Sequence, residues 1–381
     1  MTVSPAGPTD RRTILVTGGA GFIGSHTCVE LLQNGYDVVV VDDLSNSFRS
    51  ALDRIERVAG RPLTGRFDID IRDQTALSAV FDIHPVDAVI HFAAKKAVGE
   101  SVGLPLEYYD INVGSTIQLL TSMASHGVRN LVFSSSCSIY GAGDKARFTE
   151  DDDAAPTNPY ARSKWMCEQI LADACVRYPE LRVIALRYFN PTGAHPSGIL
   201  GEVPRGVPNN LMPFLTQVAV GRLDRVHIFG ADYATEDGTC VRDYIHVVDV
   251  ADGHRSALDH LDDAPGLQRF NLGTGVGTTV LQLVEAFQRV SGILLPVSIE
   301  GRRPGDVDTL VADPARVTRE WGWRATRDVD QMCADAWAFQ RQNPFGYDDE
   351  ATPAQHGAQE NALPVKQVES ASSVRPAANP G

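Results

Sequence analysis

A tyrosine and a lysine stand four residues apart in Tyr160-Ala161-Arg162-Ser163-Lys164, at the head of a helical pattern. That spacing puts both side chains on one helix face. Neither is a useful base near neutrality alone, since a free phenol titrates at about 10 and a lysine at about 10.4. An ammonium beside the phenol favours the phenolate and tunes the pair toward general-base work. Upstream, Ser134-Ser135-Ser136-Cys137-Ser138-Ile139-Tyr140-Gly141 reads as a strand end running into a turn, where Ser136 can hydrogen-bond a reacting oxygen. Tyr160, Lys164 and Ser136 are the candidate catalytic group.

A second constellation says what such a base would accompany. Gly18-Gly19-Ala20-Gly21-Phe22-Ile23-Gly24 follows one apolar run, 13–17, and opens a helical pattern, 22–33. Gly18, Gly21 and Gly24 let the backbone turn tightly, approach a pyrophosphate and pack helix on sheet, with the helix N-terminus facing the phosphates. The next strand, 37–41, ends in Asp42-Asp43. Asp42 is placed to accept hydrogen bonds from an adenosine ribose, and its carboxylate repels a 2′-phosphate, so NAD is favoured over NADP. Bound NAD⁺ would add positive charge beside the phenol of Tyr160.

These residues need a scaffold, and the patterning supplies one. Residues 13–190 alternate strand and helix signals, with further strands expected at 66–69, 88–92, 131–134 and 183–188 and helices at 106–126 and 160–177. Alternation of this kind means an α/β fold with a doubly wound parallel sheet. After Asn190 the pattern loosens into Pro-, Gly- and Asn-rich loops over 190–213, then helices at about 280–290 and 328–342. The expected organisation is an N-terminal extension (1–12), a dinucleotide domain (13–190, with a return near 240–262), a smaller C-terminal substrate domain (191–346) and a disordered tail (347–381).

Bulk properties exclude several classes. The 381-residue chain has a net charge of −14, which argues against nucleic acid or an anionic membrane as partner. An anionic substrate would need local arginines. Its six cysteines form no C-x-x-C pair and no zinc spacing, so no metal is expected and the thiols read as reduced, cytoplasmic ones. The polar start carries no signal-peptide pattern, and no apolar run reaches membrane-spanning length.

The G-x-x-G-x-x-G spacing, with Tyr-x-x-x-Lys and the upstream serine, resembles the extended short-chain dehydrogenase/reductase family. Long stretches at 18–30, 91–110, 186–198, 207–213, 238–247 and 271–277 resemble its UDP-glucose 4-epimerase members, and the likeness runs over about 13–347. It implies a Rossmann-like sheet and a resident NAD. Phe22 and Ile23 would lie against the pyrophosphate, Asp42, Asp43 and Asn46 at the adenosine ribose, and Asp70 and Ile71 beside the adenine. Phe92, Ala93, Lys96, Tyr188 and Phe189 would border the nicotinamide side. The UDP-sugar would be held by Asn190, Asn210, Leu211, Phe229, Arg242, Arg303 and Asp306, with Lys96, Ser136 and Tyr160 at the sugar. The implied reaction interconverts UDP-glucose and UDP-galactose. C4 is oxidised, the 4-keto sugar rotates, and hydride and proton return. A homodimer through helices 106–126 and 160–177 is also implied.

Departures from the family pattern sharpen this reading. A 4,6-dehydratase or a decarboxylase would carry an acid just after Ser136, where Cys137 and Ser138 stand. A 4-reductase would prefer NADPH, which Asp42 disfavours. A redox-sensing NAD-binding regulator has no need of Tyr160, Lys164 and Ser136 together. Ile111 stands where relatives have an asparagine, leaving Asn112 as the polar contact to the cofactor. Leu310 occupies a position that varies between Tyr and small residues, so activity on UDP-GlcNAc and UDP-GalNAc is a secondary expectation.

Overall fold

Runs of Val, Ile and Leu that are buried along almost their whole length have no polar face to offer solvent, so they can only be central strands. In the computed structural model, which describes residues 11–347 apart from 142–144, 146, 264 and 304–305, they build a seven-stranded sheet. The first five strands are β1 (Thr13–Thr17), β2 (Asp37–Asp42), β3 (Gly65–Asp68), β4 (Ala88–His91) and β5 (Asn130–Ser136). The order across the sheet is Gly266–Leu272, Arg182–Tyr188, β5, β4, β1, β2, β3. All neighbours are parallel, with Leu15 opposite Val39 on one side and Val89 on the other. The chain winds outward one way through β2 and β3, then crosses back to β4. The carboxyl ends of β1 and β4 therefore part, leaving the crevice in which such sheets hold ligands.

Alternation along each strand divides the core. Ile14, Val16, Val38 and Val40 face the first helix, Phe22–Gln33 (α1), through Cys28 and Leu31. Leu15, Val39, Val89 and Phe133 face the opposite layer, which includes Leu119 and, from the helix Pro159–Arg177, Cys167 and Leu171.

Three features depart from the sequence reading. The seventh strand, Gly266–Leu272, has no counterpart among the expected strands; it follows the helix Val247–Asp259, whose Val250, Ala257 and Leu258 join the same core as α1. Its outer half is only partly buried and carries Gln268 and Arg269, so, like the opposite edge strand β3, it lacks the apolar run that marks the central strands. The single helix expected at 106–126 is broken. Pro105–Tyr109 and Ser115–Ser125 flank a wide π-type turn, Asp110–Gly114. Such turns mark places where one side chain must be aimed, here Asn112. Tyr347, assigned to the tail, is buried, and its hydroxyl bonds both backbone groups of Gly201. The tail from 348 onward lies outside the described residues, as does the N-terminal extension through 10.

Beyond the sheet, helices Leu211–Ala219, Val280–Ser291 and Val329–Gln342 share a separate core of Leu215, Phe287 and Met332. The second helix starts on a capping box, Thr279 accepting from the Gln282 amide at 3.0 Å and Gln282 from the Thr279 amide at 2.9 Å. Strands Asn190–Thr192 and Tyr244–His246 pair in parallel, with Asn190 opposite Tyr244, and Arg242 lies just upstream in the short strand Val241–Arg242 of a separate sheet. Among the described residues no helix is long and apolar enough to cross a membrane.

Candidate active site

The glycine turn is built to a tolerance that no side chain meets. A Cβ on Gly24 would lie 2.2 Å from the Gly18 carbonyl oxygen, and one on Gly18, at φ +70°, 2.7 Å from the Ala93 amide nitrogen. A Cβ on Gly21 would stand 3.2 Å from the Gly18 carbonyl. α1 begins at Phe22 with no side-chain cap and no acid in its first turn. Its leading N–H groups, at Phe22 and Ile23, are left for an anion. This cradle, closed to side chains and open to phosphate, fits a dinucleotide.

At the end of β2, Asp42 is 7% exposed. One carboxylate oxygen accepts from the Ala20 amide at 2.9 Å, and the other from the Leu44 amide at 3.0 Å and the Ser47 hydroxyl at 2.7 Å. Burial raises its carboxyl above the usual range, against the pull of these donors. Asp42 thus also pins the glycine turn, a task its sequence position did not reveal. Leu44 takes φ 57°, the one non-glycine residue in that region among those described, and so keeps the 42–48 loop sharply folded. Asp43, which holds the Ser45 amide at 2.9 Å, and Asn46 are exposed on this loop. Ile71 is buried, and Asp70 is pinned by Arg72, whose hydrogen bonds hold its carboxyl below the usual range.

The catalytic group comes together as its spacing required. Asn158 caps the helix Pro159–Arg177 through the Ala161 amide at 2.9 Å, with Pro159 in the first turn, and this sets Tyr160 and Lys164 against the end of β5. Tyr160, Lys164 and Ser136 are all buried. The Ser136 hydroxyl donates to the Ser138 hydroxyl at 3.1 Å and accepts from the Ser138 amide at 3.2 Å. Burial pushes the Tyr160 phenol up to about 12, while its hydrogen bond with Ser136 pulls the other way. Burial pushes the Lys164 ammonium down to about 8. Lys164 donates to the Ser134 carbonyl at 2.8 Å, so the direct hydroxyl partner of Tyr160 is Ser136. The Ser134 hydroxyl in turn meets the Tyr188 hydroxyl.

Other expected cofactor residues lie at strand ends, Phe92 and Ala93 just after β4 and Tyr188 at the end of the strand Arg182–Tyr188. Phe92 and Tyr188 both pack on His254, at ring separations of 4.6 and 5.8 Å. The Ala93 amide donates to the Thr17 hydroxyl at 3.4 Å. Asn112 is used structurally. Its oxygen accepts from the Lys95 amide at 2.8 Å and its nitrogen donates to the Lys95 carbonyl at 3.0 Å and to Ser163 at 2.9 Å. It ties the Lys95–Lys96 turn to the catalytic helix.

On the expected substrate side, Asn190 has a buried side-chain oxygen with no hydrogen-bond partner among the described residues, which suits it to accept from a polar ligand group. Arg242 donates to the Val307 carbonyl at 2.8 Å and stands 3.5 Å from Asp306. The Arg303 guanidinium lies over the Phe229 ring, 3.7 Å from its centroid. Asn210 precedes the helix that starts at Leu211 and donates to Glu202 at 2.8 Å. Leu310 packs with Cys137, Phe189 and Ile139. The Cys137 thiol, pushed up to about 12 by burial, is held in its unreactive form.

Sequence reasoning missed the buried ion group behind the catalytic residues. Glu168, fully buried, accepts from Ser135 at 2.6 Å, from Arg187 at 2.9 and 2.6 Å and from Arg269 at 2.8 Å. Burial alone would raise its carboxyl, but the hydrogen bonds and charge of Arg187, with Ser135 and Arg269, outweigh it and hold it low. Arg187 also donates to the Tyr140 hydroxyl at 3.1 Å, and Tyr140 to Asn271 at 2.6 Å. The signal was available, since Glu168 lies one further i+4 step along the face of Tyr160 and Lys164.

The NAD dependent epimerase/dehydratase family matches residues 14–273. A Bacillus subtilis (strain 168) protein named UDP-glucose 4-epimerase is 52% identical over 334 residues, spanning 88% of this chain and 98% of its own. A crystal structure of UDP-glucose 4-epimerase from Bifidobacterium longum in complex with NAD+ and UDP superposes with a TM-score of 0.85 at 48% identity, covering 88% of this chain and 99% of that one. The Stenotrophomonas maltophila enzyme, with bound NAD and formylated UDP-arabinopyranose, gives 0.85 at 47%, with the same coverage.

The depressed Lys164 gives the first test. Below about pH 8 the lysine is charged in both folded and unfolded chains, and folding carries the full desolvation cost. Between about 8 and the ordinary lysine value near 10.5 the folded chain has lost the proton while the unfolded chain still binds it, so stability rises with pH. Urea denaturation of wild type and Lys164→Met across this window should show the wild type gaining up to ~3 kcal/mol relative to the variant. A flat difference contradicts the buried placement.

Proposed function

Since the chain belongs to the NAD dependent epimerase/dehydratase family, we propose that it interconverts UDP-glucose and UDP-galactose at C4 with an NAD that stays bound. The observation that carries this is the catalytic turn itself. Tyr160 faces Ser136 with Cys137 and Ser138 beside it, so a proton-transfer hydroxyl pair is present and the carboxylate needed for elimination is not.

NAD bound on the glycine cradle supplies a hydride acceptor that becomes the donor on the return step. The chain does the rest. Ser136, oriented by Ser138, holds the C4 oxygen, and Tyr160 removes the hydroxyl proton and later restores it. Lys164 keeps a positive charge beneath this pair through the Ser134 carbonyl, which favours phenolate over phenol. Hydride leaves C4 and the proton leaves the C4 hydroxyl oxygen, and both are restored to those atoms, so no net redox change occurs. Arg242 and Arg303 supply the cations that a diphosphate needs in a chain of charge −14. Asn190, with its unpaired oxygen, takes a polar group of the nucleotide sugar.

Leu310 forms part of the wall next to Phe189. It is smaller than a tyrosine and larger than a cysteine or serine. We place a slower reaction on UDP-N-acetylgalactosamine alongside the main one, the acetamido group meeting this wall.

The assembly that suits the surface is a homodimer. Val102, Leu104, Leu106, Ile117 and Met166 are exposed on neighbouring helices, Leu106 to 80%. Grouped apolar side chains of this kind mark an interaction face.

Three measurements follow. Tyr160→Phe should lower kcat on UDP-galactose by about 10²–10⁴-fold while its bound NAD is retained; full activity would remove Tyr160 from the role of base. UDP-N-acetylgalactosamine should be turned over, but more slowly than UDP-galactose, and zero turnover contradicts the reading of Leu310. Leu106→Asp should halve the mass found by light scattering, whereas an unchanged mass would place the interface elsewhere.

A further inference from the structure

The segment 199–210 runs between the two ends of the cofactor crevice, and its side chains grip both. At the adenosine end, Arg205 donates to the Ser47 carbonyl at 2.7 Å and to the Leu44 carbonyl at 3.3 Å, with its guanidinium 4.5 Å from the centroid of the Phe48 ring. These residues belong to the 42–48 loop that Asp42 organises. At the other end, Glu202 accepts from the Lys96 ammonium at 2.9 Å and from the Asn210 side-chain amide at 2.8 Å, through a single oxygen. Lys96 belongs to the dinucleotide side and Asn210 to the nucleotide-sugar side.

The base of the segment is fastened as well. The Tyr347 hydroxyl donates to the Gly201 carbonyl at 2.8 Å and accepts from the Gly201 amide at 3.1 Å. Arg54 donates to the Ile199 carbonyl at 2.8 Å. Leu200 is fully buried between these anchors. The Glu202 side chain is only 11% exposed, so its carboxylate is held in place, while Lys96, 49% exposed, and Asn210 reach it from the solvent side.

We propose that residues 199–210 form a strap that retains the dinucleotide, with Arg205 and Glu202 as its positioning residues. Neither side chain is assigned to substrate or cofactor. Arg205 acts by holding the ribose loop closed, and Glu202 by holding Lys96 and Asn210 in one place, so that loosening the cofactor side also loosens the UDP side. The strap rests on the reading that NAD stays resident through each turnover. It gives that residence a physical cause beyond the glycine cradle, because the ribose loop must release Arg205 before it can open.

The test measures cofactor release from purified holoenzyme, trapping freed NAD with alcohol dehydrogenase and ethanol and following NADH. Arg205→Ala and Glu202→Gln should each release NAD about tenfold faster than wild type, the loss of one charge-assisted contact. Their double variant should fall short of the product of the two, because both open the same strap. Glu202→Gln should also weaken UDP binding measured by calorimetry. Should Arg205→Ala fail to fold, Arg205→Lys, which keeps the charge and loses the planar guanidinium over Phe48, should release NAD at an intermediate rate. Wild-type release rates in the folded Arg205 and Glu202 variants would overturn the strap. A wild-type protein that carries no NAD would overturn instead the reading on which the strap depends.

Discussion

The carboxylate of Glu168 sits in the interior of the protein with no access to water, and the geometry of the active site depends on how it is satisfied. Its two oxygens take hydrogen bonds from the Arg187 fork, from Ser135 and from Arg269, which lie on three adjacent strands of the sheet. A buried ion of this kind is tolerable only when every lone pair is met with good geometry, since leaving one partner unpaired costs about 3–5 kcal/mol. The helix that carries Tyr160 and Lys164 therefore has one seating on the sheet. A slide or rotation would break the Glu168 bonds before it moved the phenol far. Through Tyr140 and Asn271 the same network fixes the turn that carries Ser136.

That rigidity lets the electrostatics of the site be extreme. Tyr160 is pushed up and Lys164 pushed down by the same cause, the removal of water. The resting protein thus holds the Tyr160 phenol protonated, and in the proposed reaction a positive cofactor ring beside it would favour the phenolate. Lys164 is held in place by the Ser134 carbonyl.

Much of this was legible in the residues, and the exceptions have physical reasons. The central strands carry continuous apolar runs, and β1 was delimited at both ends by its neighbours in sequence. Gly18, Gly21 and Gly24 announced their close approaches because nothing else fits there. Tyr160 and Lys164 announced theirs by an i, i+4 spacing. The edge strand Gly266–Leu272 was hidden because an edge needs less burial and admits Gln268 and Arg269. The break at Asp110–Gly114 was hidden because the flanking pattern stays helical while one extra residue aims Asn112 inward. Asp42 was read as a ligand for ribose, yet its hydrogen bonds to Ala20 and Ser47 make it a structural pin as well, a role that depends on contacts across the sheet rather than on local spacing. The strap escaped notice for a similar reason. Glu202, Arg205 and Tyr347 sit in irregular segments, and apart from Asn210 their partners lie far away in the chain.

The central claim is that the hydride removed from C4 is returned to C4 by the same protein-bound cofactor. Following UDP-galactose labelled with tritium at C4 tests it most directly. With no NAD added, the account predicts UDP-glucose that retains the label at C4, with none appearing in water. Label lost to solvent at the rate of product formation would mean that C4 exchanges its hydrogen as a proton, and would contradict the account.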